Sequence, residues 1–184
     1  MRKIMMGTAA FALTAALGTG SAVIASGTAQ AATTATAAAR PSAQDVIWMK
    51  TNAQTDYAEI SLGKLAMAKS RNTDLLMAAK VTMTDHEAAL AKLKVLAKKD
   101  GVTLPAQPNA EQRATAAKLK TFPVARFNLN WDTNEILGHK LSIKQTDTEI
   151  SKGSVTAVTQ FAKYYLPVAK MHLAMVEKLY GELT

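Results

Sequence analysis

Val81-Thr-Met-Thr-Asp-His-Glu-Ala-Ala-Leu90 is the stretch whose reading decides the fold. It lies inside a longer segment where Leu75, Ala79, Met83, His86, Leu90, Leu93 and Ala97 recur at intervals of three and four. That is the period of one helical face, so the segment predicts a helix with an apolar stripe. His86 sits on the stripe with Asp85 beside it. An imidazole on a buried face needs a hydrogen-bond partner, a carboxylate or a metal. The surrounding chain is therefore read for partners that could meet it.

Outward from this stretch, Asn72 or Thr73 is the expected cap, and Asp100-Gly101 the stop after Lys98 and Lys99. Gly101 suits the left-handed residue that closes a helix. Upstream, Ser42 and Asp45 open a helix that reaches about Ser70. It has one stripe of Trp48, Thr55, Glu59, Leu62 and Ala66, and a second of Ala53, Tyr57 and Ile60. The short break at Ser70–Asn72 predicts antiparallel neighbours.

Downstream, Pro105 and Pro108 mark a loop, and Asn109 to Gln112 reads as a capping box opening a short helix to Leu119. Pro123 opens a third long helix. There Leu129, Ile136, Ile143 and Ile150 repeat every seven residues, beside a polar row of Asn128, Asp132, Glu135, His139, Ser142, Thr146 and Glu149. Gly153 ends that helix and Ser154 is expected to cap the fourth, whose stripe is Phe161, Tyr165, Val168, His172, Met175 and Leu179. No strand pattern interrupts this series. The prediction is an all-α antiparallel four-helix bundle over residues 42–184, with an extra short helix in the crossover between helices two and three.

The first 31 residues read as a secretory signal peptide: Arg2 and Lys3, then an apolar run, then the small-x-small tripeptide Ala29-Gln30-Ala31. Residues 32–41 read as a disordered linker. An exported protein is expected: extracellular, in the cell wall or periplasmic, with no membrane span after cleavage. The chain has no cysteine, which excludes disulfides, thiolate zinc sites and thiol catalysis. Its net charge of +8 is spread over helix faces. The densest group, Lys92, Lys94, Lys98 and Lys99, has no interleaved aromatic, so no nucleic-acid partner is expected. The excess charge suits only weak contact with anionic envelope surfaces.

His86, His139 and His172 fall one each on three helices, and Glu59 supplies a carboxylate from the fourth. Metal sites in bundle cores are built from side chains placed this way. Imidazole and carboxylate suit Fe, Mn, Zn or Cu, and Asp132 and Glu135 are further candidate ligands. Met83 with His86, and His172 with Met175, form thioether–imidazole pairs that would suit Cu(I). The competing reading is structural: His86 donating to Glu59 or Asp132 and setting the register of the bundle. No Gly-x-Ser-x-Gly elbow or Ser-x-x-Lys context supports nucleophilic catalysis.

Asp85-His86, Phe127-Asn128 with Trp131 and His139, Leu166-Pro167 followed by His172, and the run Glu59-Ile-Ser-Leu-Gly-Lys-Leu-Ala66 carry a family resemblance. Together they resemble the exported bacterial domain-of-unknown-function 4142 family, over roughly Asp45 to Leu179. The resemblance implies a ferritin-like four-helix bundle and no established activity. The family usually has Phe-Asp where this chain has Phe127-Asn128. The six-ligand di-iron site of ferritin-like proteins needs a Glu three residues before each of two histidines. Those positions hold Met83 and Ala169. The functional expectation is therefore a binding or structural module, whose inner histidines are either structural or a mononuclear metal site completed by Glu59. The alternative is a metal-dependent redox enzyme of ferritin-like type.

Overall fold

The computed structural model describes residues 40–184. The expected signal peptide and residues 32–39 of the expected linker lie outside the described residues. Five helices follow in order: α1 Ala43–Lys69, α2 Thr73–Lys99, α3 Ala110–Thr121, α4 Val124–Lys152 and α5 Thr156–Leu183. No strand occurs among the described residues.

Local chemistry sets most of these boundaries. Ser42 and Asp45 form a capping box on α1, and Asn109 and Gln112 form one on α3. The Asn72 side chain accepts from the Leu75 amide and caps α2. Gly101, at φ 69°, is the only positive-φ residue described, and it closes α2 as expected.

The α5 start departs from expectation. Its N-cap is Val155, with no side-chain cap. Ser154 instead turns its backbone N–H (3.0 Å) and its hydroxyl (2.7 Å) toward the Asp45 carboxylate. The Val155 amide donates to the same group at 3.2 Å. A charged acceptor makes stronger hydrogen bonds than a hydroxyl, so Asp45 ties down the two residues that lead into α5 while also capping α1. Burial alone would raise the Asp45 pKa, but the bonds from Ser154, Ser42 and Val155 hold it well below the ordinary carboxylate range. Asp45→Ala is expected to cost about 2 kcal/mol at neutral pH, measured by denaturant unfolding. A depressed folded pKa means that this contribution is present above pH about 4 and fades as pH falls further. The difference between the two proteins should shrink in acid.

Cross-helix contacts fix the topology. Asp56 meets His86 and Gly63 meets Met83, so α1 and α2 run antiparallel. Trp48 bonds to Thr146 and Trp131 to the Leu62 carbonyl, which makes α1 and α4 antiparallel. Asp85 meets His172 and Lys92 meets Tyr164 between α2 and α5, and Ser142 meets Tyr165 between α4 and α5. The four long helices form a ring in the order α1, α2, α5, α4, with α3 lying against α1 and α4. A Cβ at Gly63 would sit 2.9 Å from the Met83 Cβ. Glycine there lets the two backbones approach and holds α2 in register with α1.

The interior has two apolar ends. One is built from Trp48, Met49, Leu90, Leu93, Val158 and Tyr165, the other from Leu62, Leu75, Phe127, Trp131, Val176 and Leu179. Between them lies a polar layer. The heptad Leu129, Ile136, Ile143 and Ile150 is only half-buried, and the face of α4 that points inward is the polar row Asp132, Glu135, His139, Ser142, Thr146 and Glu149. On α1 the inward face carries Asn52 and Asp56, while Thr55 and Tyr57 are half-buried.

Candidate metal centre

The polar layer brings His86, His139 and His172 together. Their ring centroids are 5.9 Å apart for His86 and His139, 5.4 Å for His86 and His172, and 5.3 Å for His139 and His172. One nitrogen from each lies within 4.8 Å of the other two, and all three rings are buried. A second convergent set, Glu59, Glu135 and His139, meets the same limit and shares His139.

Each ring is pinned on its outer side. His86 Nδ1–H donates to Asp56 Oδ1 at 2.8 Å. His139 Nδ1–H donates to the Glu135 carbonyl at 2.8 Å. His172 Nε2–H donates to Asp85 Oδ2 at 2.9 Å. A carbonyl or carboxylate oxygen only accepts, so each neutral ring is left with a lone pair on its other nitrogen. Those nitrogens are His86 Nε2, His139 Nε2 and His172 Nδ1. His86 Nε2 is buried with no partner. His139 Nε2 and His172 Nδ1 face each other at 3.3 Å, near the roughly 3.3–3.4 Å that a tetrahedral ion with bonds of about 2.0–2.1 Å imposes on adjacent nitrogens. With both outer nitrogens protonated, neither neutral ring can donate across that gap. Two lone pairs so placed repel unless a cation lies between them.

The electrostatics favour the neutral form at two of the three rings. Burial lowers His139, partly offset by Glu59. Burial also lowers His172, to about 4, with Asp85 opposing and the other two rings adding to the fall. Both shifts favour the neutral ring, the form that can act as a ligand. Burial pushes His86 down, but the Asp56 hydrogen bond and the charges of Glu59, Asp56 and Asp85 raise it overall. Asp56 itself goes up to about 6, chiefly from burial.

Glu59 and Glu135 lie side by side. Burial, then Glu59 and Asp132, push Glu135 well above the carboxylate range, so Glu135 carries the proton of this pair. Burial would raise Glu59 too, but His139, Glu135 and the other two rings bring it down and keep it ionised. Glu59 Oε2 and both Glu135 carboxyl oxygens have no hydrogen-bond partner.

The expected site residues fall into groups. His86, His139 and His172 come together in one set, and Glu59 and Glu135 come together with His139 in the other. Asp132 is buried and lies outside both convergent sets. Met83 is half-buried against Gly63, and Met175 packs on the apolar cluster around Leu62 and Val176. The expected His86 partner is corrected: it is Asp56, not Glu59 or Asp132. Asp56 is three residues before Glu59 and four after Asn52, a period-matched polar row like that on α4. That row was the signal for it. Asp85 was noted as the neighbour of His86, but it serves His172.

A cleft of about 330 Å³ reaches this layer between α1 and α4, with α3 as one wall and Glu59 and Ser142 among its lining residues. A shallower groove of about 500 Å³, lined by Tyr57, Lys94, Lys98 and the Gly101–Ala106 loop, contains none of the convergent groups.

The fold is similar to that of a solved structure, a DUF305 fragment from Deinococcus radiodurans, with a TM-score of 0.71 and 14% identity. The likeness covers 78% of this chain and 99% of that one. No curated protein matches the chain. Among the described residues no helix is long and apolar enough to cross a membrane. Residues 30–179 match the family described as Domain of unknown function (DUF4142), and the chain belongs to that family.

Proposed function

We propose that this protein binds one divalent transition-metal ion in the polar layer of its bundle, through His86 Nε2, His139 Nε2 and His172 Nδ1, with Glu59 as the carboxylate ligand. One observation carries the reading. Three buried imidazoles have their outer N–H groups committed to Asp56, the Glu135 carbonyl and Asp85, which turns three lone pairs inward. Outer acceptors of this kind set the tautomer and orientation of metal-bound histidines. An all-imidazole set with one carboxylate suits Fe, Mn, Zn or Cu(II). The methionines are accounted for by packing, which favours this set over a thioether site for Cu(I).

Equilibrium dialysis against Zn²⁺, Mn²⁺, Fe²⁺ and Cu²⁺ in turn is the test. One ion retained per chain is the expected result, with binding that weakens as pH falls, first as the raised His86 takes up a proton and again near pH 4 as His172 does. Wild-type protein that retains none of the four would refute it.

The connectivity supports a ferritin-like bundle: antiparallel neighbours around the ring and one long crossover carrying α3. The first 31 residues support export to the envelope or beyond. A redox enzyme is the second reading, favoured by the cleft that meets the centre at Glu59, since turnover needs a substrate to reach the ion. Oxygen consumption by Fe²⁺-loaded protein above that of free Fe²⁺ would distinguish it from a binding module.

A further inference from the structure

We propose that the cleft between α1 and α4 is the route by which a hydrated divalent cation reaches the histidines, with Glu59 as the group that first receives it. The proposal rests on the metal-binding reading above and adds where the ion enters.

Glu59 converges with Glu135 and His139 and also lines the cleft, which none of the three histidines lines, so Glu59 is the group that joins the two. It is 4% exposed, and its Oε2 has no hydrogen-bond partner. The cleft, of about 330 Å³, has room for several waters beside Glu59.

The charge pattern is selective. The chain has 22 Lys and Arg against 14 Asp and Glu, yet no Lys, Arg or His lines this cleft. Its charged groups are Glu59 within and Glu111 at the exposed rim, with hydroxyls and amides such as Thr55, Asn134 and Gln145 between them. A negative window in a positive surface concentrates cations there. The larger groove, with Lys94 and Lys98, would repel them. On the opposite side of the centre, the Asp85 carboxylate is engaged by the outer nitrogen of His172 and faces away from the lone pairs.

Gly138 keeps the passage clear. A Cβ at that position would lie 3.5 Å from Glu59 Oε1, so a larger side chain would press on the receiving carboxylate.

The experiment is stopped-flow uptake of Co²⁺ by the purified protein, followed by the visible absorption of the bound ion, with final stoichiometry measured on the same samples. Glu111→Lys reverses charge at the rim, and Gly138→Leu narrows the passage. Glu87→Lys makes the same charge change on the exposed face of α2 and serves as the control. Association roughly tenfold slower in Glu111→Lys, a wild-type rate in Glu87→Lys and one ion per chain in both is the expected result. Gly138→Leu should slow both uptake and release. Because Glu111 is exposed, its variant keeps the test decisive if Gly138→Leu does not fold. Normal stoichiometry with wild-type rates in the cleft variants would overturn the route and leave the metal site standing. No Co²⁺ bound by wild-type protein would overturn both.

Discussion

His139→Ala is expected to weaken divalent-ion binding at least about 100-fold and to end stoichiometric retention of the ion. His139 is shared by both convergent groups, and its Nε2 forms the 3.3 Å gap with His172. Its loss therefore removes one ligand and half of the electrostatic reason for the ion. The variant also empties a buried site, so a fall in stability by itself would not separate metal binding from a structural role. Asp85→Ala separates them. Asp85 is 39% exposed, so its removal empties no core position. It holds the outer nitrogen of His172, so the metal reading predicts a loss of roughly 10–100-fold in affinity. If the histidines only set the register of the bundle, Asp85→Ala should leave ion content unchanged. Isothermal titration of the two variants beside wild type decides between these outcomes.

In the ion-free protein, stability is expected to fall as pH rises from about 4.5 to 7, opposite to the usual acid denaturation. Burial raises Asp56 to about 6 and Asp132 and Glu149 to about 7, and it raises Glu135 well above the ordinary carboxylate range. Across that window the folded chain holds protons that the unfolded chain has released, so each step up in pH favours unfolding. His139 and His172, both lowered, act in the other direction until about pH 6.5, where the unfolded rings have lost their protons. The four carboxyls outnumber them, and the decline is steepest above that point. Glu149 gives the cleanest check, since it belongs to the cap region beside Gln44 and Asp45 and not to the histidine cluster. Glu149→Gln keeps the shape and removes the titration. It should be more stable than wild type by up to about 3 kcal/mol at pH 8 and similar to it at pH 5, by urea unfolding at both pH values. An equal effect at both would mean that Glu149 is not titrating in the folded state.

The helices were legible because their ends are written in local chemistry. Ser42, Asn72, Gly101 and the Asn109–Gln112 box act on neighbours a few residues away, and the structure uses them as read. The α5 start was not legible in the same way. Ser154 is a good cap residue, but a carboxylate more than a hundred positions earlier in the chain engages it, and local spacing does not register that contact. Which of the two neighbouring rows on α4 faces inward is likewise not set by spacing. Four branched residues at heptad spacing look like core, yet the bundle turns them half outward and buries the polar row beside them.

The site was partly visible. Three histidines on three helices follow from periodicity alone, and so does Glu59. Their shared depth in one layer depends on the register of four helices, which Gly63 and the two tryptophan hydrogen bonds set in three dimensions. Asp56 is harder to read because its row on α1, Asn52, Asp56 and Glu59, lies among apolar residues, and a polar row at helical spacing also suits a solvated face. The orientation of the lone pairs lies beyond any sequence pattern, since it comes from which oxygen each outer nitrogen finds.

X-ray absorption at the zinc edge, on protein loaded with one Zn²⁺ per chain, tests the central claim most directly. The account predicts a first shell of three imidazole nitrogens at about 2.0–2.1 Å with one carboxylate oxygen, and loss of an imidazole in His139→Ala. A first shell made only of oxygens, or an ion that washes out on buffer exchange, would contradict it.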